Sequence, residues 1–402
     1  MLVVTANWAF ADGTLVQSPR RGQQEFLDAV YRAALRSGVR GDGRYEPVDS
    51  IDVVLAGDTF DGLTSSVWTR DARPWHEGAR AVGLAAGVLL AAAARGRRLL
   101  GGLAAWARDG LSVPAADRRG RPSPEKQRPV PVRVTILPGD RDPWVAGTAA
   151  RLKRRGIRMA AAWTAGGVAV CHGAEFDPLW GMAEPGRPTL GASLAVDLVA
   201  RFGDAVRGRP DLWPACRPLV ARLATARPAE FPGIVGDWLA LLEQGRGVVR
   251  DAWRAAVAAW RRQARLAEPS CDSAFDSIDA VAAWMDRLDQ AVDDGWRNES
   301  DVAALLDSRP PAGLPSGTVV FGHWSGTVEG ATNRRPMPAL EAENTAGVTV
   351  AGVSAARLRR GPAHAVFPDL RRPDVRWRFM HDDASAPRSS CAAGPQRIVE
   401  AA

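Results

Sequence analysis

Five short polar motifs, each opening where an apolar run ends, constrain this chain more than any other feature. Leu2–Thr5 leads into Ala6, Asn7 and Trp8, and Ile51–Ala56 leads into Gly57, Asp58, Thr59, Phe60 and Asp61. Val130–Leu137 precedes Gly139, Asp140, Arg141 and Asp142, Val168–Cys171 precedes His172 and Gly173, and Thr318–Phe321 precedes Gly322, His323, Trp324 and Ser325. Short aliphatic runs bounded by Gly, Pro or Asp read as strands. A glycine beside each polar residue lets the backbone turn sharply as it leaves the strand. Between the first two runs, Gln23 to Arg36 sets Phe26, Leu27, Val30, Tyr31, Ala34 and Leu35 on one helical stripe. The resulting strand-helix-strand unit predicts an α/β protein with at least part of its sheet parallel.

Two further runs, Met159–Trp163 and Val348–Val353, also read as strands, and the first forms a hairpin with Val168–Cys171 across Thr164, Ala165, Gly166 and Gly167. Strand signals vanish between residues 187 and 308. Amphipathic helical spacing replaces them, as in Trp238, Leu239, Leu241 and Leu242 or Trp253, Val257 and Trp260. We therefore expect one domain over residues 1–381 with helical insertions at about 76–112 and about 187–308, followed by an exposed tail at 382–402. The Pro- and Arg-rich stretches Arg118–Pro131 and Ser308–Pro315 read as joints within that domain, because the motifs on either side must meet in one site.

The chain has 402 residues, 46% of them hydrophobic, which is ample for a buried core. Its formal charge of +7 comes almost wholly from Arg, with Lys only at Lys126 and Lys153. No basic run carries interleaved aromatics on a recognisable module, which argues against nucleic acid as the partner. Cys171, Cys216, Cys271 and Cys391 are too dispersed for a zinc knuckle or a disulfide framework, and a reducing cytoplasmic setting fits them. The N-terminal residues lack a basic segment followed by a long apolar core, so they read as a strand rather than a signal peptide. Residues 81–94 are the most membrane-like stretch, yet fall short of the ~20 residues needed to span a bilayer. They read as a packed helix, with an interfacial role as the alternative.

The order, spread and type of the five motifs resemble the calcineurin-like metallophosphoesterases. That family's pattern runs Asp-x-His, Gly-Asp-x-x-Asp, Gly-Asn-His-Asp/Glu, His-Gly and Gly-His-x-His, and the resemblance spans nearly the whole chain as separated islands. Glu175, Phe176, Asp177 and Pro178 after His172-Gly173 add to the match with bacterial members. The resemblance implies a metallophosphoesterase-like β-sandwich of mixed sheets flanked by helices. It also implies that Asp58 is the carboxylate bridging two metals, with Asp140 in place of the Asn of the second metal. His172 and His323 fall on the two histidines of that same metal. One shell for a divalent ion (Mn, Fe or Zn) is thus complete, and an Asp donor suits such ions.

The other shell departs from the family. Its Asp and His correspond to Ala6 and Trp8, and its last His to Ser325, none of which matches the expected donor. Trp8 is expected to fill the vacated volume with an apolar ring. Asp12, nearby in sequence, reads as a loop carboxylate rather than a replacement ligand. The imidazole that would serve the leaving group corresponds to Arg141, which cannot cycle a proton but can clamp a phosphate. Asp61 and Asp142 read as residues that orient the loops. His76, His364 and His381 carry no motif and read as surface or structural, and the fifteen Trp residues read first as core anchors.

Two functions follow from the resemblance. One is a metal-dependent hydrolase of phosphomonoesters or phosphodiesters working with a single ion. The other is a catalytically inactive relative that holds the ion weakly or not at all and acts as a ligand-binding or scaffold protein. A phosphate-containing small molecule or a lipid-nucleotide is the partner class implied, with the helical insertion as a lid or a brace.

Overall fold

The structure, a computed structural model, describes residues 1–18, 22–70, 72–142, 144–145, 152–165, 168–172, 174, 180, 188–224, 226, 231–264 and 318–321. It is a mixed α/β fold with several small sheets. The main sheet is formed by β1 (Leu2–Thr5), β3 (Ile51–Ala56), β7 (Val132–Leu137) and β8 (Ile157–Met159), in that order and all parallel. Register sets their ends level: Thr5 lies opposite Leu55, and Ala56 opposite Leu137. The loops that leave β1, β3 and β7 therefore emerge side by side at one edge of the sheet. Open parallel sheets place ligands at that edge.

Alternation along the strands feeds two layers. Val3, Val53, Leu55, Val134 and Ile136 pack with Phe26, Ala29, Val30 and Ala33 of α1 (Gln23–Ser37) and with Leu99, Leu100 and Leu103 of α3 (Arg97–Asp109). On the opposite face, Leu2, Val4, Val54, Ala56 and Leu137 pack with Val170 and Trp163 of a second sheet. That sheet has the order β11 (Thr318–Phe321), β10 (Val168–Cys171), β9 (Trp163–Ala165), with β10 parallel to β11 and antiparallel to β9. Trp8 is fully buried against Phe10 and Phe26, and is an apolar core residue as its ring chemistry dictates.

Two sequence expectations are corrected. The run Met159–Trp163 is not one strand: Met159 ends β8 in the main sheet, and Trp163 begins β9 in the second. The hairpin partner of β10 is thus the shorter β9. Arg118–Pro131 is not a joint either. Most of it is β6 (Pro122–Val130), an antiparallel partner of β5 (Leu111–Ala116), with Leu111, Val113 and Val130 in the core. A two-stranded ribbon has free edges, so Pro122, Pro124 and Pro129 cost it few ladder hydrogen bonds. Val348–Val353, residues 265–308, Ser308–Pro315 and the 382–402 tail lie outside the described residues, as do Cys271 and Cys391. Among the described residues Cys171 and Cys216 form no disulfide.

The helical insertion is helical through 264, built from α4 (Leu190–Ser193), a seven-residue π-helical run Leu194–Ala200, α5 (Arg201–Arg207), α6 (Trp213–Leu223), α7 (Phe231–Leu241) and α8 (Arg246–Ala264). Trp253 and Trp260 are fully buried there, with Phe202 and Phe231 meeting Trp253 edge-on and Trp260 Nε1 donating to Ser193 Oγ at 3.0 Å. This layer is fastened to the loop after β4 (Phe60–Asp61): Arg73 Nε donates to Asp197 Oδ1 at 2.6 Å, and Thr69 Oγ1 to Asp204 Oδ2 at 2.8 Å. Arg73 and Asp197 are both buried. The insertion therefore bears directly on the segment that carries Asp58 and Asp61. Among the described residues no single helix is long and apolar enough to cross a membrane.

Candidate metal centre

Asp58, Asp140 and His172 come together from the ends of β3, β7 and β10. One donor atom from each lies within 4.8 Å of the other two. Donors sharing one ion through ~2.0–2.2 Å bonds stand about 3.4 Å apart, so the set is close enough to share an ion once His172 Nε2 and Asp140 Oδ1 part slightly to admit it. His323, the fourth expected ligand, lies outside the described residues, as do Glu175, Asp177 and Ser325. Its strand is in place, with Phe321 opposite Cys171 in parallel register.

The orientation of His172 follows from its hydrogen bonds. Nδ1 lies 2.9 Å from the carbonyl oxygen of Ala56, which can only accept, so Nδ1 carries the proton and donates it. Nε2 is thereby the atom presented to the carboxylates, 2.5 Å from Asp140 Oδ1 and 3.7 Å from Asp58 Oδ1. Two acceptors at that distance repel unless a proton or a cation lies between them. A backbone carbonyl that fixes the tautomer of a histidine in this way is common around metals.

Two glycines make the approach possible. Gly57 sits at φ 92°, and a Cβ on it would fall 2.0 Å from His172 Nδ1; a Cβ on Gly139 would fall 2.2 Å from Asp58 Oδ1. Asp58 itself has φ 49°, and Asn7 and Ala9 in the adjacent loop have φ 57° and 46°. Left-handed backbone at non-glycine residues costs energy and concentrates at functional sites. The two loops hold each other there through Asn7 N–H to Gly57 O at 3.2 Å, Ala9 N–H to Asp58 O at 2.8 Å and Phe10 N–H to Thr59 O at 3.1 Å. We expect Gly57→Ala to lower stability by about 2–3 kcal/mol through strain and displacement of the imidazole. Gly101→Ala, in α3 with open space around it, should instead raise stability by up to about 1 kcal/mol. Guanidinium unfolding of both variants checks the contrast.

The remaining acids orient the loops. Asp142 accepts from Gly139 N–H at 2.6 Å and Phe60 N–H at 2.9 Å, and Asp61 accepts from Leu63 and Thr64 N–H. Asp12 is spoken for by Thr14 and Ser65, consistent with a loop carboxylate. His76 is structural, its Nδ1 accepting from Arg73 N–H. Burial pushes the Asp58 carboxyl up, and the charge of Asp140 adds to this, against partial relief from His172 and Arg141. Burial likewise raises Asp142 to about 7, with the charge of Asp58 as the second cause. Four carboxyls, those of Asp58, Asp61, Asp140 and Asp142, surround one guanidinium and one imidazole, so ionising all of them in this dry place needs further positive charge, which a cation would supply.

The Arg141 backbone N–H donates to Asp58 Oδ1 at 3.0 Å, and its carbonyl accepts from Gly62 N–H at 2.9 Å. Its buried guanidinium stacks over Trp180 at 5.2 Å and lies 3.6 Å from Asp61 Oδ2, while its NH1 has no hydrogen-bond partner among the described residues. Trp180 was not legible in the sequence: one aromatic in a segment without periodic pattern gives no signal. The supporting role of the Ala56 carbonyl was equally hidden, since backbone acceptors leave no trace in residue type. No family model, curated protein or solved structure matches this chain.

Proposed function

We propose that this protein binds one divalent metal ion through Asp58, Asp140 and His172 and uses it, with Arg141, to hold and hydrolyse a phosphomonoester or phosphodiester. The observation that carries the reading is His172 Nε2, turned toward Asp140 and Asp58 by the bond that Nδ1 makes to the Ala56 carbonyl. The donor set of two oxygens and one imidazole suits Mn, Fe or Zn. When bound, such an ion supplies positive charge beside the phosphoryl oxygens and makes water more acidic. Arg141 adds a fixed guanidinium, held by Asp61 and Trp180, whose buried NH1 has no hydrogen-bond acceptor among the described residues and would take a phosphoryl oxygen that reached it. Asp142 keeps the Gly139 and Phe60 amides turned inward and so fixes both ligand-bearing loops.

The motif order and the level ends of β1, β3 and β7 support membership of the calcineurin-like metallophosphoesterases, with their two-sheet architecture as the finer form of this fold. The chain departs from that plan at Ala6 and Trp8. Both are buried, and Trp8 is packed among aromatics, so neither supports a second ion. This favours slow single-ion chemistry, and it gives weight to a second reading in which the site binds a phosphorylated ligand without turnover.

The test is metal analysis of protein purified without an affinity tag, with hydrolysis of bis-(p-nitrophenyl) phosphate measured as Mn is added. One equivalent of metal and Mn-dependent turnover, both lost in Asp58→Ala, are expected. Metal without turnover would establish the binding reading, and absence of both would sink the metal centre. Arg141→Ala should weaken inhibition by inorganic phosphate about 10- to 100-fold, as loss of a charged hydrogen bond implies, while leaving the metal content unchanged.

A further inference from the structure

We propose that the outer face of the helix α2 (Ala79–Arg95) and the arginines at its corner with α3 form a docking surface for an anionic lipid bilayer, which α2 meets lying flat. This proposal is independent of the metal centre. One side of α2 is committed to the core through Ala81, Ala85, Val88, Leu89 and Ala92. The other side is apolar as well: Val82 is 67% exposed and Leu90 44%, and Gly83, Ala86, Gly87 and Ala91 beside them are exposed. A solvated helix face normally carries charge, and an apolar one marks an interaction surface.

Charge identifies the occupant. From Ala79 to Arg108 the chain has five arginines and no carboxylate. Arg80 stands at one end of the apolar face, and Arg95, Arg97 and Arg98 stand exposed at the other. The last three line a cavity of about 440 Å³ together with Ser18, Gln23 and Ala94. Ala94 is also the end of the exposed face, so apolar surface runs directly into a cationic hollow of headgroup size. An anionic membrane satisfies both features, taking the apolar residues among its acyl chains and the guanidinium groups among its phosphates. The 81° bend between α2 and α3 turns the chain back from the surface, as a helix in the interface plane requires.

The test is sedimentation of the full chain with vesicles of phosphatidylcholine alone and of equimolar phosphatidylcholine and phosphatidylglycerol. Binding to the mixed vesicles only, weakened by salt, is expected. Combining Arg95→Gln, Arg97→Gln and Arg98→Gln should weaken it about a hundredfold, at roughly fivefold per arginine. Val82→Asp with Leu90→Asp should abolish it at an unchanged thermal midpoint, since both side chains are exposed. Equal binding to both vesicles, or to neither, would overturn the proposal. So would a concentration-dependent dimer that Val82→Asp dissolves, or release from vesicles by inorganic phosphate at constant ionic strength, which would assign the arginines to a free anion.

Discussion

His172→Ala is expected to lower the affinity for Mn or Zn by more than about a hundredfold while leaving the protein folded. Loss of a group that merely orients a ligand takes 10- to 100-fold from metal affinity, and His172 is placed to be a ligand itself. Its removal leaves only Asp58 and Asp140 among the described donors, both carboxylates, which lose selectivity for a borderline-soft ion as well as affinity. The fold should survive because the imidazole, held by the Ala56 carbonyl and Asp140 at the sheet edge, is not part of the aliphatic layers on the two faces of the sheet. Calorimetric titration of stripped protein, with far-ultraviolet circular dichroism as the control for folding, measures both halves. Unchanged affinity would show that the ion, if bound, sits elsewhere. His172→Gln is the sharper companion: it keeps a buried donor for the Ala56 carbonyl but lacks an imidazole lone pair.

How much of this was legible depends on the range over which each signal acts. β1, β3, β7 and α1 were readable because their apolar residues repeat at the strand or helix period within a few residues. The gathering of Asp58, Asp140 and His172 was readable from the motif order: Asp58 and Asp140 lie just past neighbouring strands of one parallel sheet, while His172, at the end of β10, belongs to the second sheet packed on it. The extent of β6 was not, since its prolines oppose strand propensity and only pairing with β5 overrides them. The division of Met159–Trp163 between two sheets was hidden because both halves look equally extended in sequence. The π-helical run at Leu194–Ala200 leaves the same apolar pattern as an ordinary buried helix. The Arg73–Asp197 pair joins residues 124 apart, beyond any local pattern.

What the chain lacks at Ala6 and Trp8 also shapes what it can do. In the proposed single-ion site the positive charge over a phosphate would come partly from a fixed side chain, the role assigned there to Arg141. Arg stays charged at every working pH, so it stabilises charge but cannot return a proton to a leaving group. Substrates whose leaving group needs no proton, such as aryl phosphodiesters, should therefore be hydrolysed faster than alkyl ones.

Metal-free protein should lose stability as pH rises from about 4 to about 7, and a divalent ion should reverse that slope. The sign follows from Asp142, whose carboxyl is raised by burial to about 7, against about 3.9 when unfolded. Between those values the native state holds a proton that the unfolded chain has released. Stability then falls with pH, because the slope is set by protons bound when unfolded minus protons bound when native. The contribution is fully present below about 4 and is lost on passing about 7, amounting to about 4 kcal/mol at most. Asp58, raised by burial and by Asp140, acts in the same direction. A divalent ion needs its carboxylate ligands, Asp58 among them, ionised, so its stabilisation, which grows with the ratio of free ion to Kd, strengthens as pH rises. Urea unfolding across this range, with EDTA and then with Mn, gives the two slopes. Asp142→Asn removes the proton and should flatten the EDTA curve. A metal-free protein that becomes more stable from pH 4 to 7 would contradict the burial argument outright.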